Sequence, residues 1–170
     1  MKTRRFITAP ILLLALSCTD LGHVTNGEPV GQEGLSNVAL ISDEDALMNA
    51  ARARARATFA TFKADLAAHR PNSHYSVKLR FQDGDAVEHL WVDRLSYENG
   101  ALTGIVDNEP VHVTNVRLGD RVSLTDDRVS DWLILHDGKY RGGFTIRYYR
   151  DKLTPSEQKT FDSQMGATPQ

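Results

Sequence analysis

The chain has 170 residues, 41% of them apolar and 25% charged, with a formal net charge of −2. That is the composition of an ordinary soluble globular protein. The acidic balance argues against a nucleic-acid binder, which needs a net basic domain or a basic stripe. A single cysteine, Cys18, leaves no partner for an internal disulfide.

The amino end departs from that composition. Lys2, Arg4 and Arg5 form a positive n-region, and Phe6 to Leu16 form an apolar run broken only by Thr8 and Pro10. A bilayer span needs about 20 apolar residues, so the run fits the h-region of a secretory signal better than a membrane helix. It ends in Leu14-Ala15-Leu16-Ser17-Cys18. That segment resembles a lipobox, with Leu14 one place further from the cysteine than is usual. The expectation is a signal peptide over residues 1–17 and a Cys18 carrying acyl chains such as palmitate, each buried methylene contributing about 0.8 kcal/mol to anchoring. Removing residues 1–17 takes away three bases and no acids, leaving 17 bases against 22 acids and a net charge of −5. The lipid, rather than charge, must then hold the protein at the membrane. Thr19 after the cysteine favours the outer membrane if the bacterium is Gram-negative.

Residues 18–41 are polar and rich in turn formers, with Gly22, Gly27, Pro29, Gly31 and Gly34, and read as a flexible tether. A coil of about 20 residues reaches roughly 25 Å. Residues 42–165 read as one α+β domain and 166–170 as a disordered tail. No internal repeat is visible.

The domain opens with an expected helix capped by Ser42, with Asp43, Glu44 and Asp45 in its first turn. Leu47, Ala51, Ala55, Phe59, Phe62 and Leu66 form its apolar stripe. Arg52 and Arg56 share a face and Arg54 points away from both; all three read as solvated surface. Pro71 sets the end near His69. From Tyr75 the period becomes two, giving a strand with Val77, Leu79 and Phe81 on one buried face and Lys78, Arg80 and Gln82 on the other. After Asp83-Gly84, Val87 to Leu95 returns as a second strand. Asn99-Gly100 is a hairpin signal leading to Leu102 to Val106. Further strands are expected at Val111 to Val116, Arg121 to Thr125, Trp132 to Leu135 and Phe144 to Tyr149. Thr154-Pro155-Ser156-Glu157 then carries a capping box for a short helix to about Met165. The expected architecture is a long amino-terminal helix packed on a curled, mostly antiparallel sheet or small barrel.

Five blocks occur in order: Glu88-His89-Leu90-Trp91-Val92, Gly104 to Pro110, Leu118-Gly119-Asp120-Arg121-Val122, Asp131-Trp132-Leu133 and Gly142-Gly143-Phe144-Thr145. Together they resemble the YegJ-like proteins, a bacterial family whose domain has no assigned function. The resemblance covers about Ala50 to Phe161. It implies a small domain, often exported, and carries no activity with it.

Candidate chemistry centres on Glu88, His89 and Asp131. On a strand Glu88 and His89 face opposite sides, so each needs a partner from another strand. If Trp91 is core, His89 lies beside it; if Leu90 and Val92 are core, Glu88 becomes the awkward buried carboxylate. Asp131 stands at a strand entrance, where aspartate commonly accepts backbone N–H groups. Candidate ligand-binding residues are Trp91, Asn108, Trp132, Gly142, Gly143 and Thr145. The tryptophans read first as core aromatics, and Gly142-Gly143 as a bulge, or else as an anion cradle without the lysine of a phosphate loop. The histidines lack metal-ligand spacing, so no metal and no cofactor is expected. The expected function is a non-enzymatic, lipid-anchored envelope domain that binds a protein or small ligand and no nucleic acid. The alternatives are an enzyme of unassigned class using Glu88, His89 and Asp131, and an immunity-type protein by fold-level analogy.

Overall fold

A computed structural model of the protein describes residues 33–98 and 101–170, with side chains over 46–97 and 101–170. The expected signal segment, Cys18 and the expected Asn99-Gly100 hairpin turn lie outside the described residues. The elements in chain order are α1 (Glu33–Ala67), β1 (Ser73–Asp83), β2 (Ala86–Glu98), β3 (Ala101–Val106) and β4 (Arg121–Ser123). A single 3-10 turn (Asp126–Arg128) leads to β5 (Val129–His136), β6 (Lys139–Gly142), α2 (Phe144–Arg150), α3 (Pro155–Met165) and β7 (Thr168–Pro169).

The helix α1 starts at Glu33 rather than at Ser42, whose side chain lies outside those described. Its stripe is buried at Ala55, Phe59, Phe62 and Leu66, while Leu47 is exposed and its neighbour Met48 is buried. The helix stops at Ala67 and His69 takes a left-handed φ of 47°, two residues before Pro71. Phe62 stacks on Phe59 at 5.3 Å and meets Trp132 at 5.7 Å. Truncating so enclosed an aromatic to alanine costs about 3–5 kcal/mol.

Seven strands form one open sheet in the order β4-β3-β2-β1-β5-β6-β7, antiparallel throughout except for the β6/β7 pair. The curled-sheet alternative is therefore the observed one, and the sheet does not close into a barrel. The strand alternation gives two cores. One lies between α1 and the sheet and contains Val77, Leu79, Leu90, Val92 and Trp132. The other lies on the opposite face and contains Trp91, Leu133, Tyr140, Ile146 and Ala167, with Phe161 and Met165 of α3 packed against it. β1 is thus covered on both sides in part, where its alternation suggested one buried and one solvated face. The α3 capping box forms as expected, with Glu157 N donating to Thr154 Oγ1 and Thr154 N donating to Glu157 Oε2.

Two expected strands take other forms. Residues 111–116 make no ladder, because carboxylates of β1 and β2 take the backbone N–H groups that a strand partner would need. The segment still inserts Val113 and Val116 into the α1-side core. Phe144 to Tyr149 is helical, not extended: Gly142 and Gly143, at φ 72° and 61°, turn the chain, and a carboxylate from β5 caps the new amino end.

Candidate functional site

Glu88 shares its face of β2 with Leu90 and Val92, so it sits at the margin of the α1-side core. Its carboxylate accepts Val111 N at 3.0 and 2.9 Å and His112 N at 2.9 Å. Asp83, at the end of β1, accepts Thr114 N at 2.8 Å and Thr114 Oγ1 at 2.7 Å. These hydrogen bonds hold Asp83 below the usual carboxylate range. The two acids act as the ladder partner that residues 111–114 lack.

Asp131 is fully buried. It accepts Trp132 N at 2.8 Å, Phe144 N at 3.0 Å, Thr145 N at 2.8 Å and Thr145 Oγ1 at 2.6 Å. Burial pushes its carboxyl above the ordinary range, and the hydrogen bonds from Thr145, Trp132 and Phe144 oppose that. A side chain at Gly142 is impossible here, since a Cβ would lie 2.2 Å from the Trp132 carbonyl oxygen. The glycine pair lets Gly143 N donate to that same oxygen at 2.7 Å and delivers α2 to Asp131. Gly142-Gly143 thus makes the close backbone approach that the bulge reading implies, and the N–H groups of Phe144 and Thr145 that follow are taken by the chain's own Asp131.

The opposite face of β1 and β2 is built differently. Antiparallel register sets His89 opposite Arg80 and Trp91 opposite Lys78, and β5 sets Asp131 opposite Lys78. Directly paired residues in such a ladder share a face, so His89, Arg80, Lys78 and Trp91 form one patch. The Lys78 ammonium lies 5.4 Å from the Trp91 ring centroid. His89 Nδ1 is buried and has no hydrogen-bond partner. Burial first, and then the positive charges of Arg52, Lys78, Arg80 and Arg56, push His89 down to about 4. Burial also pushes Lys78 down, against the pull of Asp131. Arg54, the helix arginine expected to point elsewhere, lies over the Phe144 ring at 5.2 Å.

The patch changes sign toward the start of β1. Asp93 follows Trp91 on the same face, and Asp107 N donates to the Trp91 carbonyl at 2.9 Å. Burial and the neighbouring Asp93 charge push Asp107 above the ordinary range, while Arg94 and His74 oppose. His74 Nε2 is 3.1 Å from Ser76 Oγ.

The remaining candidates fall into two groups. Trp132 Nε1 donates to the Ala55 carbonyl and to Thr58 Oγ1, both at 3.1 Å, and Trp132, Gly142, Gly143 and Thr145 all gather round Asp131. Asn108 Oδ1 accepts Trp91 N at 2.7 Å, which fixes the chain after β3 to the backbone of β2. Glu88, His89 and Asp131 therefore do not converge. None of them lines the open groove of about 640 Å³ between Phe81, Asn115, Val122 and the arginines 80, 121 and 128. Sequence reasoning missed the gathering of Lys78 and Arg80 beside His89 and Trp91, to which Arg52 and Arg56 add their charge. The alternation of Lys78 and Arg80 opposite Trp91 and His89 held the signal, once the β1–β2 register was assumed. Among the described residues no three His, Cys, Asp or Glu side chains come together to hold a metal. No helix of the described residues is long and apolar enough to cross a membrane.

Comparison with known proteins places this geometry in a family. Residues 45–168 match the family model DUF2314, described as an uncharacterized protein conserved in bacteria. A putative ankyrin repeat protein of Neisseria meningitidis serogroup B is 32% identical over 142 residues, covering 78% of this chain and 56% of that protein. The uncharacterized protein YegJ of Escherichia coli is 35% identical over 72 residues, covering 42% of this chain and 47% of the relative. The chain thus spans about half the length of these curated relatives. No solved structure matches. With the match running through both cores, Glu88, His89 and Asp131, the chain belongs to the DUF2314 family of uncharacterised bacterial proteins.

Proposed function

We propose that the protein is a lipid-anchored component of the bacterial envelope whose folded domain binds a partner or ligand without transforming it. The observation that carries the second half is the fate of the two candidate carboxylates. Glu88 is engaged by backbone N–H groups of 111–112, and Asp131 by those of 132, 144 and 145 together with the Thr145 hydroxyl. A general acid or base must reach the proton it transfers. These two oxygen pairs are turned toward the chain itself.

Anchoring is supported by the positive n-region, the short apolar run and the single cysteine at the end of it. The acidic chain that follows Cys18 has no electrostatic attraction to an anionic bilayer, so acylation is the means of attachment. Thr19 directs the acylated protein to the outer membrane of a Gram-negative cell.

Two experiments test the halves separately. Cys18→Ser should abolish metabolic palmitate labelling and release the protein from the membrane fraction; labelling that persists contradicts anchoring at Cys18. An unbiased hydrolase and transferase screen should return no turnover. Turnover that is lost in Glu88→Gln or His89→Ala would establish an enzyme instead.

A further inference from the structure

We propose that His89, with Arg52, Arg56, Lys78 and Arg80, forms a binding site for a phosphate-class oxyanion on the face of the sheet opposite α1's aromatic core. The inference rests on the reading of the domain as a binding module and names the chemical group it takes.

Three observations carry it. The first is placement: strand register puts Arg80 directly across from His89 and Lys78 across from Trp91; the charges of Arg52 and Arg56 on α1 add to the positive field felt at the imidazole. The second is the lack of compensation. Among the described residues the acids that form ion pairs do so with other partners, Asp65 with Arg70 and Arg141, Asp126 with Lys63, Asp162 with Arg150, Asp137 with His136, and Asp93, further along the same face, with Arg94. Arg52 donates to the neutral Asn49 amide, and among the described residues no carboxylate forms an ion pair with Arg52, Arg56 or Arg80. Asp131 faces Lys78, but its oxygens already accept four donors and burial disfavours its charge. The third is the imidazole itself, whose buried Nδ1 lacks a partner. A buried polar atom without one carries a desolvation cost that a ligand relieves.

Like charges gathered in a chain of net negative charge repel one another unless something anionic joins them. Guanidinium groups match the tetrahedral oxygens of phosphate through paired N–H donors, and a lysine adds a point charge. A dianion fits four cations better than a single carboxylate does. Trp91 is buried, so the patch offers no exposed aromatic for base stacking and does not resemble a single-strand platform.

The test uses the full chain in a mild detergent, with the imidazole signals of His89 followed by NMR at constant ionic strength. Inorganic phosphate and pyrophosphate are one arm, and phosphatidylglycerol vesicles the other. Saturable shifts at His89 are expected, with its titration moving up from about 4 toward the ordinary value of about 6.5. A response to the free ions assigns a soluble ligand; a response to vesicles alone assigns a lipid headgroup. Arg56→Ser and Arg80→Ser, both at exposed positions, should each weaken binding about tenfold. Arg80→Lys should retain part of it and Arg117→Ser all of it. No shift in either arm, or binding that survives both serine substitutions, overturns the site. Neither result bears on turnover, so failure here is distinct from failure of the non-enzymatic reading.

Discussion

Asp131 and His89 lie on the same face of the sheet, on strands that flank β1, and they are treated in opposite ways. Asp131 is buried and receives four hydrogen bonds from two elements. His89 is partly buried with an unpartnered nitrogen, and the charges of Arg52, Lys78, Arg80 and Arg56 that bear on it have the sign it would acquire on protonation. Glu88 and Asp83, at the far end of the β1–β2 hairpin, follow the Asp131 pattern and bind backbone. The fold spends its carboxylates on scaffold and leaves cations uncompensated beside an imidazole. A satisfied polar group stabilises the structure at rest. An unsatisfied one, as at His89 Nδ1 and the Tyr140 hydroxyl, carries a desolvation cost that the fold itself does not repay.

The largest test of this contrast is Asp131→Ala. It leaves the amides of Phe144 and Thr145 without an acceptor, and each buried orphan costs about 1–3 kcal/mol. A loss of about 4 kcal/mol in urea unfolding is expected, with α2 detached from the sheet. A loss under about 1 kcal/mol would mean that Asp131 is not the cap. Glu88→Gln should act in the same direction but less, by about 1–2 kcal/mol, because the amide keeps one acceptor and the site is partly solvated. Proteolysis at 110–114 reads the loosening directly, since that segment depends on Glu88 and Asp83.

The His89 side responds with pH. Its folded value of about 4 lies below the unfolded value of 6.5. Its contribution to stability is therefore present above about 6.5 and is lost as pH falls toward 4. His89→Gln should flatten that acid limb in thermal melts taken from pH 7 to pH 4, with little change at pH 8. An acid limb that is unchanged breaks the account of His89. The smallest expected effect is in Arg56→Ser and Arg80→Ser without ligand. Relief of repulsion should raise stability slightly, by no more than about 0.5 kcal/mol; a marked loss would mean these arginines are structural.

How far the sequence carried this picture differs by region. The α1 stripe from Ala55 to Leu66, the β1–β2 alternation and the Thr154–Glu157 capping box are local patterns, and each is realised where the spacing put it. Phe144 to Tyr149 was not legible, because its aromatic composition favours a strand while the helix is started by a carboxylate 13 residues upstream. Residues 111–116 alternate like a strand, yet their N–H groups belong to acids 23 to 31 residues earlier. In both places a side chain distant in sequence replaces a backbone partner, and no window-sized pattern contains it. The cationic patch was hidden for a related reason. Lys78 and Arg80 look like the solvated side of a strand until pairing sets them against Trp91 and His89. Arg52 and Arg56 look like an ordinary helix surface, and no spacing in the sequence links their charge to His89.

The most direct measurement is the titration of His89 in the ligand-free chain, followed through its imidazole resonances from pH 3.5 to 8. The account predicts a midpoint of about 4, set by burial and by the charges of Arg52, Lys78, Arg80 and Arg56. A midpoint near the ordinary 6.5 or above it would place His89 in water or beside an acid, and would contradict the uncompensated cationic patch.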